Sequence, residues 1–400
     1  MDRFVEHLRR ALEDLDDAGL ALMLVRPTLV ADAVRDGLAR AKGVLRDELG
    51  AYLAAWEAIG RAGGTDVERR FLLKLAGLLP SATRLPESAE RLAAGLSRPG
   101  PLDGALLDAV AGISGAYAGA YYVAPPRELL VLVQAHLDRI YRLTGASGLP
   151  THRRRVRALL SDGAAFAGWL SLDAGRPCDA RSYLTLARDA AREAGDPTLH
   201  ALAVASHALL LTNVAGAEPS EALWMLRQAG VQLSDDAPWE ARAWLAVHTA
   251  KEFTAAGDRD GYLLHAQAAA TTWDALGGGE SREGFFSPGG WFSDVDDEWF
   301  QDCTLRSLAH LTDPAAEPAL RAALDQPGHP RREATLLETL AVCLARRAEP
   351  EQAAAAALGS LDAAHGLPLW VDRVREVRAD LEPWADLPAV RELDDALVGA

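Results

Sequence analysis

The stretch SDGAAFAGWLSLDAGRPCDARSYLTLARDAAREAGD, residues 161–196, shows the unit from which the chain is built. Small residues recur at helical spacing in its first half, at Ala164, Ala167, Gly168 and Ser171. The run AGRP then indicates a turn, and a second stripe follows at Ala180, Leu184 and Ala187. Small side chains let two antiparallel helices approach closely, so the stretch predicts a helix–turn–helix pair.

The same spacing recurs along the C-terminal part of the chain. Further copies start at Ala203, Ala243 and Ala334, and a degenerate copy starts near Glu298. Repeated helix–turn–helix units resemble the tetratricopeptide repeat, although the intervals here are longer. Ala and Leu dominate the composition, and β-branched runs are few. We therefore expect an all-α fold, a right-handed superhelix of tetratricopeptide-like helix pairs.

The pattern divides the chain into three regions. Residues 161–400 carry the repeat array, which a Gly-rich insertion interrupts at 277–290. Residues 66–160 read as a helical region that joins the array, and residues 1–65 as a helical N-terminal element. This element is expected either to cap the array or to act as a dimerisation arm, giving a homodimer. Because stacked repeats bury one continuous core, the regions should not behave as independent domains.

Several segments carry a second resemblance. Residues 166–196, 289–300 and 378–397 resemble the C-terminal sensor half of actinobacterial XRE-type transcriptional regulators, and ERRFLLKLAGLL at 68–79 resembles their connecting segment. The resemblance implies a sensor or adaptor that binds a small molecule, a peptide or a protein. Those regulators begin with a helix-turn-helix domain, and residues 1–65 show no such signature. A regulator with an atypical DNA-binding N-terminus remains the third hypothesis.

The tetratricopeptide resemblance also implies a ligand site, because the first helix of each pair in such arrays lines a concave groove. A tight aromatic cavity would favour a small molecule, and an open groove with Lys251 and Arg306 exposed would favour an acidic peptide. Alternatively, the tryptophans fill gaps between repeats or the inside of a closed superhelix. The groove positions fall on Trp169, Asp173, His207, Trp244, Lys251, Trp299, Asp302, Arg306 and Glu338.

An enzyme built on the same scaffold is the second hypothesis. The run GGWFSDVDDEWF, residues 289–300, contains an Asp-x-Asp-Asp pattern that resembles the proton-donating motif of class II terpene cyclases. The same acids also suit the start of a helix, where carboxylates cap free N–H groups and favour the positive end of the dipole. If the protein is an enzyme, Asp296, Asp302 and His207 are the candidate acid–base residues.

Charge and cysteine content narrow the function further. The net charge of −16 argues against broad nucleic-acid binding. The three cysteines lie far apart and suggest neither a zinc site nor a disulfide framework. His248 and Glu252, one turn apart, are interpreted as a core or solvated pair, so neither metal nor cofactor is expected. With no signal peptide and no apolar run of membrane-spanning length, we expect a cytoplasmic protein without membrane contact.

Overall fold

The computed structural model describes residues 100–212, 219–233, 237–274 and 297–399, apart from 123, 327 and 366, together with 91, 92, 94 and 95. The predictions for residues 1–65, for the insertion at 277–290 and for Asp296 lie outside these residues. Within the described residues, regular structure is helical apart from one isolated β-bridge between Leu102 and Gly148. The all-α prediction is confirmed.

The described residues form fourteen α-helices, and two 3-10 turns accompany them at Ala120–Tyr122 and Glu382–Trp384. The first eight are α1 (Gly104–Gly119), α2 (Pro126–Leu143), α3 (Pro150–Asp173), α4 (Pro177–Ala194), α5 (Pro197–Thr212), α6 (Pro219–Gln232), α7 (Trp239–Ala255) and α8 (Arg259–Asp274). The others are α9 (Asp297–His310), α10 (Ala316–Leu324), α11 (Pro330–Arg346), α12 (Pro350–Ala363), α13 (Pro368–Asp380) and α14 (Pro388–Gly399).

Proline marks where most of these helices begin. Nine of the described helices have proline as their first residue. At this position the missing N–H has no intrahelical partner to lose, and the fixed φ already suits a helix. Several turns between helices use glycine with positive φ, as at Gly175 and Gly195, and Gly195 is the C-cap of α4. Proline and glycine together fix short, sharp connections between helices.

Adjacent helices pack as pairs, α3 with α4, α5 with α6, α7 with α8 and α11 with α12. The stripes of small residues lie in the seams. A methyl group placed on Gly168 of α3 would lie 2.8 Å from Cγ of Leu184 and 3.4 Å from the carbonyl oxygen of Ala180, both on α4. Only glycine therefore allows this close approach, which is the packing that the 161–196 stretch predicts.

The first helices of the pairs form a closed circuit of contacts. Helices α3, α5, α7, α9, α11 and α13 each contact the next in this order, and α13 also contacts α3. Two hydrophobic clusters support the circuit, and α13 contributes to both, with Trp370 in one and Val374 in the other. The side chains that these six helices direct toward one another therefore meet around a shared interior.

No helix of the described residues has both the length and the apolar character needed to cross a bilayer.

Candidate functional site

A cavity of about 340 Å³ lies between the helices of the circuit. Its wall comes from five of them, α3, α7, α9, α11 and α13, with Tyr121 from the 3-10 turn after α1 and His329 from the N-cap of α11. Aromatic and charged side chains dominate the wall: Tyr121, Trp169, Asp173, Trp244, His248, Lys251, Glu298, Trp299, Asp302, Cys303, Arg306, His329, Arg331, Arg332, Thr335, Leu369, Trp370 and Arg373.

The structure brings most of the predicted groove residues together at this cavity. Glu338 lies just behind the wall, where its carboxylate pairs with Arg306 at 3.3 Å. His207 does not line the cavity. The other seven do: Trp169, Asp173, Trp244, Lys251, Trp299, Asp302 and Arg306.

The position of His207 departs from the repeat spacing for a physical reason. Every residue of α5 from 201 to 210 except His207 is buried, so this helix packs on nearly all sides. Burial lowers the pKa of His207, Arg188 and Arg181 of α4 lower it further, and Glu221 of α6 opposes them. Its charged neighbours thus belong to second helices of the pairs, away from the cavity.

An uncharged aromatic surface forms one side of the cavity. The ring of His248 lies 4.2 Å from that of Trp244, one turn earlier on α7, and 5.6 Å from that of Trp299 on α9, both edge-on. Burial, and then the nearby Lys251, hold the pKa of His248 well below its usual value. The imidazole is therefore neutral, and the three rings form an uncharged aromatic surface with a polar edge.

A network of ion pairs forms the side of the cavity next to α3. The guanidinium of Arg331 donates from Nη1 to Oδ2 of Asp173 at 2.6 Å and from Nη2 to the carbonyl oxygen of Ala124 at 3.2 Å. It also lies 4.1 Å from the ring centroid of Tyr121. The two charged side chains are only 7% and 1% exposed, so this pair is shielded from water.

The pKa values of this network follow from burial. Burial raises the pKa of Asp173, and Arg331 opposes the rise. Burial also raises the pKa of Tyr121, and the charge of Asp173 adds to the rise. Burial alone would lower the pKa of Arg331, but Tyr121 and Asp173 outweigh burial and raise it. The guanidinium thus stays charged and holds the end of α3 to the start of α11.

A second ion-pair network lies beside it. Arg332 donates from Nε and Nη2 to the two oxygens of Asp302, at 2.8 Å and 3.1 Å, and it also pairs with Glu298 at 3.1 Å. The bidentate geometry holds α9 to α11. We call Asp173, Asp302, Arg331 and Arg332 the paired wall. Both lining aspartates are committed to arginines, which leaves neither of them poised as a general base.

Another part of the cavity is crowded with positive charge. Lys251 of α7, Arg306 of α9 and Arg373 of α13 converge there, and we call these three residues the cationic corner. Arg306 has the carboxylate of Glu338 at 3.3 Å, and Arg373 lies 5.5 Å from the ring centroid of Trp370. Lys251 makes no ion pair or hydrogen bond with a described residue.

The pKa values record this crowding. Burial, and then the charge of Arg306, lower the pKa of Lys251 to about 8, although Glu252 opposes them. Burial and Arg306 likewise lower the pKa of Arg373 to about 10, against the opposing charge of Glu338. Arg306 thus makes both of these neighbours harder to protonate. Lys251 therefore lies among like charges without an ion pair to a described carboxylate.

Sequence reasoning missed eleven residues of the wall. Arg331 and Arg332 precede the repeat start at Ala334, and α13 was not recognised as the first helix of a pair. One signal was available: two arginines in the first turn of a helix oppose its dipole, so a carboxylate partner was to be expected. The eleven are Tyr121, His248, Glu298, Cys303, His329, Arg331, Arg332, Thr335, Leu369, Trp370 and Arg373.

Metal binding and thiol chemistry find little support in this wall. Among the described residues no group of three or more potential metal ligands comes together, and His248 and Glu252 are both buried. Burial raises the pKa of Cys303 to about 12, so its thiol stays protonated. The chain matches no protein-family model, and no curated protein shows significant similarity to it.

Proposed function

We propose that this protein is a sensor or adaptor that binds a small molecule in the cavity. The single observation that carries the proposal is a cavity of about 340 Å³ to which five helices contribute tryptophans and charged groups. Such a volume lies within the range of pockets for small organic ligands, on the order of 300–1,000 Å³. In this proposal the helix pairs form a tetratricopeptide-like superhelix that wraps around the ligand.

A small molecule fits this cavity better than a peptide. An open groove would leave the cations accessible, but the side chain of Arg306 is only 16% exposed. Because α13 contacts α3, the first helices close into a circuit and do not leave one long open groove along the described array. The cavity of about 340 Å³ between them has room for a small organic molecule rather than for an extended peptide.

The sensor role follows from what the ligand would touch. The wall joins α3 and α13, which are separated by nearly the whole array in sequence. A ligand that contacts both favours the closed circuit over any arrangement in which α13 separates from α3. The resemblance to the sensor half of XRE-type regulators agrees with this role. Proton-transfer chemistry is less favoured, because arginines hold both Asp173 and Asp302.

A thermal-shift screen of small metabolites tests the proposal. Trp299→Ala removes part of the aromatic wall, and Trp224→Ala is the matched control because Trp224 is 62% exposed on α6. Truncating a tryptophan in a binding site commonly weakens binding about tenfold or more. A ligand should therefore raise the Tm of the wild type and of Trp224→Ala but lose most of this effect in Trp299→Ala.

Two outcomes would overturn the proposal. Ligands that stabilise Trp299→Ala as much as the wild type would place their site outside the cavity. A screen without stabilising small molecules, together with calorimetric binding of a peptide, would instead favour a protein adaptor. Far-UV circular dichroism of both variants separates loss of binding from loss of the fold.

A further inference from the structure

We propose that the cavity takes a small organic anion, whose acidic group sits in the cationic corner and whose flat apolar body packs against Trp244 and Trp299. The proposal deepens the function above and rests on it, since it names the chemical class of the ligand.

The first support is convergence. Lys251, Arg306 and Arg373 come from three helices, α7, α9 and α13, that are far apart in sequence. Each lines the same cavity, so their charges meet only in the folded protein. Convergent ammonium and guanidinium groups match the oxygens of a carboxylate or a phosphate, to which they donate charge-assisted hydrogen bonds.

The second support is how the carboxylates are distributed. Asp173 is committed to Arg331 at 2.6 Å, and Asp302 is committed to Arg332 at 2.8 Å. Glu298, the third lining carboxylate, also pairs with Arg332. All three lining carboxylates thus serve the paired wall. Behind the cavity wall Glu338 pairs with Arg306, while Lys251 makes no ion pair with a described carboxylate.

The third support is the electrostatic strain in the corner. Burial, and then the charge of Arg306, lower the pKa of both Lys251 and Arg373, and the second effect is that of like charges crowded together. An anion placed among these groups would relieve the repulsion and favour their charged forms. The site therefore gains more from an anionic ligand than from a neutral ligand of the same shape.

The aromatic surface beside the cationic corner determines the chemical character of the rest of the ligand. His248 lies between Trp244 and Trp299, and its imidazole is neutral, so this part of the wall carries no charge. Flat aromatic or alicyclic groups pack well against such rings. The two parts of the wall thus require a molecule with one acidic end and one flat apolar end.

Isothermal titration calorimetry with three isosteric probes tests this inference. The probes are naphthalene-2-carboxylate, neutral naphthalene-2-carboxamide and the cation naphthalen-2-ylmethylammonium. We expect the carboxylate to bind the wild type at least tenfold more tightly than the amide, and the cation to bind most weakly. Lys251→Met and Arg373→Met should each weaken carboxylate binding about tenfold and leave amide binding unchanged. Arg391→Met is the matched control, because its side chain is 64% exposed on α14.

The outcomes separate this inference from the proposed function. The inference of an anionic ligand fails if the carboxylate and the amide bind with equal affinity, or if Lys251→Met weakens both equally. The proposed binding cavity stands in either case. The same holds if the screen yields only neutral or cationic ligands that Lys251→Met binds as tightly as the wild type. If neither the probes nor the screen show binding that depends on Trp299, both the inference and the proposed function fail.

Discussion

The paired wall and the cationic corner are two charged regions of one cavity, and they are built on opposite plans. In the paired wall, each arginine meets a carboxylate at 2.6–2.8 Å. In the cationic corner, Glu338 pairs with Arg306 at 3.3 Å, and Lys251 makes no ion pair with a described carboxylate. Similar residues thus serve different ends: the first arrangement joins helices, and the second leaves positive charge facing the cavity.

The comparison shows which of the buried charges stabilise the folded protein and which destabilise it. Breaking a buried ion pair strongly destabilises the fold, because removing one partner leaves an unpaired charge shielded from water. A buried cation without a close partner lowers stability from the start. Groups that destabilise the folded protein commonly belong to functional sites, where a ligand supplies what is missing. We therefore expect that removing a cation from the paired wall destabilises the fold, and that removing one from the cationic corner stabilises it.

The largest effect is expected from breaking the paired wall. Arg331→Met leaves Asp173 buried without its cation, and we expect the free energy of unfolding to fall by about 3–5 kcal/mol. Urea denaturation measures this fall. The double variant Arg331→Met/Asp173→Asn removes the orphaned charge and should recover much of the loss.

Arg259→Met is the matched control for this variant. Arg259 pairs with Asp313 at 3.1 Å, but its side chain is 53% exposed, and such pairs contribute about 0–1 kcal/mol. If Arg331→Met were no more destabilising than Arg259→Met, the paired wall would not hold α3 to α11, and its contrast with the cationic corner would vanish.

The opposite sign is expected when the cationic corner loses a charge. The pKa of Lys251 in the folded protein is about 8, below the value of about 10.4 in an unfolded chain. Between these values the unfolded state binds more protons, so stability rises with pH across this window. Below pH 8 the charged lysine destabilises the fold fully.

Lys251→Met should therefore raise the free energy of unfolding at pH 7 by about 1–3 kcal/mol, in the absence of ligand. The advantage over the wild type should shrink as the pH approaches 10.4, where Lys251 is neutral in both states. Lys251→Arg, which keeps the charge, should show no such gain. Urea midpoints at pH 7 and pH 10 test this, and a destabilised Lys251→Met at pH 7 would contradict it.

Anion binding should weaken as the pH rises above 8. Between pH 7 and pH 9 the probe carboxylate stays ionised, His248 stays neutral and Arg373, with a pKa of about 10, stays mostly charged. Lys251 alone among these groups titrates in this range, and a bound anion raises its pKa. The charged and titratable groups around Lys251 are His248, Glu252, Cys303, Arg306, His310 and Arg373.

Calorimetry should accordingly show naphthalene-2-carboxylate losing up to about tenfold in affinity between pH 7 and pH 9, which corresponds to about 1.4 kcal/mol. Lys251→Arg is the control, since its guanidinium stays charged and its affinity should be flat over this range. A flat profile in the wild type would show that Lys251 does not contact the acidic group.

Much of the fold was predictable because the packing of helix pairs leaves a local trace. Gly168 and the small residues around it mark a seam, and this seam lies where they predict, against Leu184. The contacts that close the circuit of helices leave no such pattern in the sequence. The contact between Asp173 and Arg331 joins residues 158 positions apart, and no periodic pattern relates two positions so distant.

The residues of the site likewise fall into some that the sequence predicted and some that it did not. Repeat spacing assigned Trp244, Lys251 and Trp299 to one groove, and all three line the cavity. It did not anticipate α5, which is apolar on nearly all sides and therefore packs without an open face. It also passed over Trp370 and Arg373, because α13 lacks the stripe of small residues that marks a first helix.

The smallest effect is expected at His207, which the spacing assigned to the groove. Its charged neighbours are Arg181, Arg188 and Glu221, and none of them lines the cavity. His207→Ala should therefore leave the affinity for naphthalene-2-carboxylate within about twofold of the wild type. Lys251→Met, measured by the same titration, should lose about tenfold. A tenfold loss in His207→Ala would mean that the ligand also reaches α5, so that the binding surface follows the repeat spacing beyond the five helices of the wall.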